Sequence, residues 1–334
     1  MSELYLAADD WEKTDLESEP IRKGFGRGLK TAGDQNDQVV AVCADLTEST
    51  QMHLFEEAYP ERFVQVGVAE QNLVTVGSGL AAQGKIPFVS SYAAFSPGRN
   101  WEQIRTTICL NDQPVKVIGS HAGVSVGPDG ATHQMLEDLA IMRALPNMIV
   151  LAPGDSVEAE KATVALSKVS KPAYMRLARE ATPIFTTKDT PFEIGKAYVL
   201  TPGNDITLIS TGSMTPNALV AAEKLYKEGI DVEVIHCPTI KPLDISTILK
   251  SIKKTNHVIT AEEHQVTGGL GGAISEFTAE NHPVALRRIG VVDKFGESGK
   301  PDELYEHFGL TAKHIMMAAH DLLSNKGGSH GGQK

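Results

Sequence analysis

The chain is short of cysteine, of long apolar runs and of positive charge. Its three cysteines, Cys43, Cys109 and Cys237, are scattered and form no CxxC pair. Neither a disulfide framework nor a zinc site follows from them, and a reducing cytoplasm is the simplest home. Each reads as a small core residue. No apolar stretch approaches the roughly 18 residues of a membrane span. The opening residues are acidic and polar, unlike a signal or transit peptide. HExxH and HxxxH are absent, so no metal ligand set is expected on this chain. The net charge of −11 argues against general nucleic-acid binding. It leaves room for a small anionic substrate, which local arginines and helix N-termini can hold.

A length of 334 residues with 41% apolar content suits two packed domains. Short β-branched or apolar runs at 39–44, 87–90, 115–119, 148–152 and 173–177 read as strands. They alternate with helical stretches at 73–82, 101–110, 135–145 and 157–168. Residues 182–191, rich in Thr, Pro and charge, read as a linker. The alternation then restarts, with strands at 206–210, 232–235 and 258–261 and helices at 217–227, 245–253, 272–278 and 312–323. This pattern predicts an α/β chain of two domains, each a mostly parallel sheet covered by helices. The expected boundaries are 1–188, including an arm at 1–18, then 189–324, then a disordered Gly-rich tail at 325–334.

Two segments carry candidate chemistry. Glu70 stands where the apolar run Phe63-Val64-Gln65-Val66 gives way to a helix-compatible stretch of small residues. A carboxylate there can be desolvated and poised to share a proton. Taken alone, a helix-opening acid favoured by the macrodipole is the commoner reading. The second segment, residues 120–134, joins a strand to a helix and holds His121, Asp129 and His133 among glycines. In a parallel sheet such a loop lies at the carboxyl edge, where ligands bind. Histidine there can move protons near neutral pH. A long loop whose Thr132 or Asp129 caps the next helix accounts for the same residues. In the second half, Thr267-Gly268-Gly269-Leu270-Gly271-Gly272 precedes a helix. It suits an anion at a helix N-terminus, or equally tight helix–sheet packing.

Several motifs in order resemble the transketolase family. They are Asp45-Leu46-Thr47, Val68-Ala69-Glu70-Gln71-Asn72, Asp129-Gly130-Ala131-Thr132-His133-Gln134, Glu137-Asp138-Leu139-Ala140, Arg143-Ala144-Leu145-Pro146-Asn147-Met148 and Asp293-Lys294-Phe295-Gly296-Glu297-Ser298-Gly299-Lys300-Pro301. The common version of the second has Arg-Glu-His where this chain has Ala-Glu-Gln. The family's diphosphate-binding signature, Gly-Asp-Gly followed by Asn, is missing from this sequence. The resemblance therefore covers the pyrimidine-binding and C-terminal domains, as in the C-terminal subunit of a split transketolase.

The resemblance implies thiamine diphosphate as cofactor, with Mg²⁺ or Ca²⁺ held by a partner chain. That partner would be the N-terminal transketolase subunit carrying Gly-Asp-Gly…Asn, in an α2β2 heterotetramer. Glu70 matches the glutamate that hydrogen-bonds the aminopyrimidine, making it catalytic together with His133. Phe95 matches the stacking aromatic, Tyr92 a neighbour lining the pocket, and Asp45 a position beside the cofactor. His121, Asp129, His133, Arg179, Arg22 and Ser49 match substrate contacts, the arginines on the phosphate of a sugar phosphate. Tyr92 and Phe95 are three apart, so packing on one helix face also explains them. Arg22 and Arg179 suit surface ion pairs as well. The implied reaction moves a two-carbon ketol unit between sugar phosphates. Deoxyxylulose-phosphate synthase, a 2-oxo acid dehydrogenase β subunit and a non-catalytic scaffold subunit remain as alternatives.

Overall fold

The computed structural model describes residues 5–324. The tail expected at 325–334 and the first four residues of the arm lie outside the described residues. Two mainly parallel sheets, of seven and five strands, are covered by helices. The larger runs in the order Thr239–Lys241, Ile149–Leu151, Ala173–Ala178, Lys116–Ala122, Ile86–Tyr92, Val39–Cys43, Phe63–Gln65. The smaller runs Ala285–Val291, His257–Gln265, Ile206–Ser210, Val232–His236, Tyr198–Thr201. The inner strands are buried on both faces, as VVAVC and ITLIS require. One apolar core continues from Val42, Leu73 and Tyr174 to Ile209, Ile235 and Leu270, so it spans both sheets.

The strand Thr239–Lys241 lies among the second half's own strands in sequence yet pairs antiparallel with Ile149–Leu151 of the first. The segment expected as a linker is fastened to its surroundings. Ala181–Pro183 pairs with Ser18–Pro20, and the Asp155 carboxylate accepts the N–H groups of Phe185 and Thr186 at 3.0 and 2.7 Å. Phe185 is fully buried there. The helix expected at 101–110 begins as an α-turn, Trp101–Gln103, and continues as the π-helix Ile104–Cys109. The Thr106 and Thr107 hydroxyls donate to the carbonyls four residues back, competing with the regular ladder. The helix expected at 135–145 shortens to Asp138–Arg143. Met135 is spent on bridging Ala122, and its carbonyl accepts the Gly123 N–H.

The helix Ile21–Gln35 was not anticipated. Gly24, Gly26, Gly28 and Gly33 lower its intrinsic propensity. Gly24 and Gly28 let it lie against Ser156–Leu166, where a methyl group on Gly24 would overlap the Ser156 carbonyl, while Gly26 and Gly33 face Gln51, Leu54, Phe55 and Tyr59. That packing sets the helix's first residues, including Arg22, beside the carboxyl edge of the larger sheet. Among the described residues no helix is long and apolar enough to cross a membrane.

Candidate active site

Parallel strands all point the same way, so the residues just past their carboxyl ends share one edge. Here that edge gathers Tyr92 from the end of one strand, His121 from the next and Arg179 just beyond a third. Phe95 and His133 come from the loops that follow. Tyr92 and Phe95 do not lie on a common helix face. Tyr92 ends the strand Ile86–Tyr92, and Phe95 stands in the turn after it.

Glu70 opens the helix Glu70–Ala82 and is only 4% exposed. It enters by a turn at Gly67, whose φ of +74° suits glycine. Asn100, fully buried, donates to the Glu70 carbonyl at 2.7 Å and to Ser96 Oγ at 3.1 Å. The Glu70 carboxylate is met by Arg99, whose Nη1 lies 3.1 Å from Oε2. The Arg99 guanidinium carbon sits 4.2 Å from the centre of the Phe95 ring. Glu70 and Phe95 therefore face one slot.

The aromatic wall of that slot is continuous. Tyr92 and Phe95 stack with centroids 5.8 Å apart, and Tyr92 stacks on His121 at 3.8 Å. His133 meets Phe95 edge-on at 5.3 Å. Its Nδ1 lies 2.9 Å from the Thr132 hydroxyl, which leaves Nε2 for a ligand. His121 has φ 55° and is 3% exposed, with Nδ1 2.9 Å from the Ser120 hydroxyl. Burial, and then the charges of Arg22, Arg179 and His133, push its pKa down to about 3. It is a neutral imidazole at physiological pH.

Arg22 and Arg179 lie side by side. Arg22 Nη1 donates to the Arg179 carbonyl, and Arg22 Nε is buried without a partner. Burial and the Arg179 charge hold the Arg22 guanidinium below the ordinary arginine value. Arg179 Nη1 donates to the Val126 carbonyl at 2.8 Å and to Glu180 Oε1 at 3.1 Å. Two adjacent guanidiniums with an unspent buried donor are an incomplete set that an oxyanion would complete.

Asp45, Ser49 and Asp129 share the sheet edge but stand apart from this cluster. Among the described residues no hydrogen bond or ion pair joins their side chains to it. The Asp45 N–H donates to Gln65 Oε1 at 2.7 Å, and the Ser49 hydroxyl donates to the Leu46 carbonyl at 3.3 Å. Asp129 is exposed at the end of the turn Val124–Asp129.

The loop that carries Asp129 and His133 is held from behind by the second half of the chain. Gln134 Nε2 donates to the carbonyls of Val124, Gly127 and Glu297. The buried Glu263 carboxylate accepts the Ser125 N–H and the Ser213 hydroxyl, each at 2.7 Å. The Gly-rich turn before Leu270–Asn281 is not open to an anion. The carboxylate of Glu262 already takes the Leu270 and Gly271 N–H groups at 2.7 Å. Among the described residues no group of three or more His, Cys, Asp or Glu side chains converges as metal ligands.

Arg99, Asn100 and Gln134 went unread in the sequence. Gln134 was visible inside a motif, but its role depends on the Glu297 carbonyl, far away in the chain. Arg99 stands four residues beyond Phe95, a spacing that brings the two together only because the intervening turn is helical in sense.

Comparison with known proteins gives this geometry a family. Residues 18–184 match the pyrimidine-binding domain of transketolase, and residues 195–315 match the transketolase C-terminal domain. The chain is 44% identical over 298 residues to a putative transketolase C-terminal section of Methanocaldococcus jannaschii, covering 88% of this chain and 93% of that protein. It is 41% identical over 311 residues to the 6-deoxy-6-sulfo-D-fructose transketolase subunit SqwH of Clostridium sp. (strain MSTE9), covering 93% and 97%. A solved split gene transketolase, described as an inactive β4 tetramer, superposes with a TM-score of 0.87 at 41% identity, covering 92% of this chain and 99% of that one. The chain belongs to the transketolase family and comprises its pyrimidine-binding and C-terminal domains.

Proposed function

We propose that this chain is the C-terminal subunit of a split transketolase. It would transfer a two-carbon ketol unit reversibly from a ketose phosphate to an aldose phosphate, using thiamine diphosphate. The observation that carries the reading is the slot between Glu70 and Phe95. It joins a buried carboxylate to a flat aromatic face, and a planar nitrogen-bearing group, the Arg99 guanidinium, already fits there. An aminopyrimidine is likewise planar and can share a proton with a carboxyl group through its ring nitrogen. When bound, thiamine diphosphate supplies an electron sink for the carbon–carbon bond that breaks.

The residues of this chain then divide the work. Glu70 hydrogen-bonds the ring nitrogen and holds or releases a proton there. Its burial keeps water from competing for that bond. Phe95, with Tyr92 behind it, fixes the ring's plane. His133 offers Nε2 to the hydroxyl or carbonyl oxygen at the reacting end of the sugar, and Asp129 takes a neighbouring hydroxyl. His121, neutral and buried, donates or accepts a hydrogen bond without bringing charge. Arg22 and Arg179 grip the terminal oxyanion, with Ser49 as a further donor. Asp45, by resemblance, would stand beside the bound cofactor at the subunit contact.

The diphosphate and its Mg²⁺ or Ca²⁺ would be held by an N-terminal partner with Gly-Asp-Gly…Asn, giving an α2β2 assembly. The relative described as an inactive β4 tetramer supports this, since a homologous chain assembled with itself is inactive. SqwH acts, by its name, on a sugar bearing a sulfo group. A paired-arginine site suits sulfonate and phosphate alike, so the terminal anion is the shared requirement.

The test is reconstitution. Ketol transfer should appear when the partner is added and be absent from this chain alone. Transfer by the homogeneous chain, or undiminished turnover by the reconstituted Glu70→Ala variant, would overturn the reading. Pyruvate decarboxylation in the same complex would point instead to the synthase or dehydrogenase alternative.

A further inference from the structure

We propose that Arg99 is the resident occupant of the ring slot, standing in for the cofactor's aminopyrimidine and leaving when the ring arrives. The inference rests on the thiamine diphosphate reading of Glu70 and Phe95.

A ring in this slot needs two things, a flat face to stack on and a carboxylate to pair with. The Arg99 side chain makes both contacts at once, lying 4.2 Å over Phe95 and 3.1 Å from Glu70 Oε2. Guanidinium is planar and carries N–H donors in its plane, so it covers the stacking surface and occupies the carboxylate at the same time. A ring seated on that face of Phe95 and bonded to Glu70 cannot coexist with it.

The stand-in answers an electrostatic need. Glu70 is 4% exposed, and a buried carboxylate facing an empty slot is costly. Arg99 pairs with it until a ring arrives with which the carboxyl group can share a proton. The geometry also permits release. The Arg99 side chain is 53% exposed, whereas the adjoining Asn100 is fully buried and bonded to both Glu70 and Ser96. The backbone therefore stays fixed, and only the arginine side chain has to turn outward. Cofactor binding would exchange one planar nitrogen group for another on a preformed platform.

The exchange predicts an unusual sign. Removing an arginine from a site that binds a diphosphate normally weakens binding. Here, removing the occupant should tighten it. The cofactor-stripped complex with the N-terminal partner would be titrated with thiamine diphosphate and Mg²⁺ by calorimetry. Arg99→Met, which keeps length but loses plane and charge, should bind roughly three- to tenfold more tightly than the wild type. Arg99→Lys, which keeps the charge but not the plane, should fall between them. A structure of the loaded wild-type complex should show the Arg99 guanidinium off Phe95. Equal or weaker binding by Arg99→Met, or a loaded structure with Arg99 still on Phe95 and Glu70, would overturn the inference while leaving the thiamine diphosphate reading intact. Failure of the wild-type complex itself to bind the cofactor would overturn both.

Discussion

Asn100 donates to the main-chain carbonyl of Glu70 across 2.7 Å, tying the loop after one strand to the helix that begins after another. The bond positions the start of that helix, and with it the carboxylate, relative to Phe95. Asn100→Ala should remove the side-chain donor to the Glu70 carbonyl, leaving that carbonyl only its place in the helix ladder. The expected cost is about 0.5–1.5 kcal/mol of stability in chemical denaturation. A weakened affinity for thiamine diphosphate should accompany it in the reconstituted complex. A stable variant with unchanged affinity would show that the bond positions nothing.

Glu70→Gln keeps the shape of the side chain and removes the carboxylate. Turnover by the reconstituted complex should fall by roughly 10²–10⁴, the usual contribution of a positioned acid–base group. Single-turnover kinetics would locate the loss in the chemical step. A change confined to KM would assign Glu70 to binding alone.

Arg179→Met should weaken the anionic end of the substrate site. Hydrogen bonds to charged groups contribute about 1.5–3 kcal/mol each, so kcat/KM for a phosphorylated sugar should drop roughly 10- to 100-fold. The same sugar without its phosphate should be almost indifferent to the change. Equal losses on both substrates would mean that Arg179 supports the fold, through the Val126 carbonyl it already holds.

His121 ties stability to pH in a definite direction. Its pKa is depressed to about 3 in the folded chain, below the ordinary histidine value. The unfolded chain therefore binds a proton below about pH 6.5 that the folded chain refuses. The stabilisation is complete above that pH and is lost as pH falls toward the folded value, at up to about 1.36 kcal/mol per pH unit. His121→Phe keeps the ring stack on Tyr92 but has no proton to bind. Thermal or denaturant unfolding between pH 7 and pH 5 should show a shallower fall for the variant. Parallel curves would refute the neutral, buried assignment.

Gly24→Ala opposes two known effects. Alanine favours a helix interior over glycine by roughly 1 kcal/mol, but the added methyl group would overlap the Ser156 carbonyl. Overpacking of this kind costs about 1–3 kcal/mol. The variant should be net destabilised, with a lower denaturant midpoint and an unchanged slope. A more stable variant would show that the two helices have room to separate.

What was legible in the sequence follows from how local each signal is. The alternation of apolar strands and small-residue helices identified most elements, because runs such as VVAVC and ITLIS read the same in any context. Glu70, His121 and His133 could be singled out because their segments are contiguous, and Phe95 and Arg179 by resemblance; the structure brings these five to one sheet edge. Asp45, Ser49 and Asp129 were placed there by resemblance, and their side chains contact none of the others by hydrogen bond or ion pair among the described residues. The helix Ile21–Gln35 was missed because its glycines argue against helix locally, and only its neighbour explains them. How the linker is fastened was not legible, because the partners of Ala181–Pro183 lie more than a hundred residues upstream. Arg99 was missed for a similar reason, since nothing near it in sequence reveals that Glu70 stands opposite.

The strand Thr239–Lys241 carries a practical lesson for anyone who would dissect this protein. The two family regions look separable on paper, yet the later one contributes the outermost ribbon of the earlier one's sheet. A gene truncated after residue 188 would encode a fragment with Ile149–Leu151 stripped of its outer neighbour, and bare strand edges recruit whatever chain comes by. Such a fragment should clump or pair with itself, so its failure to act would say nothing about the chemistry of Glu70.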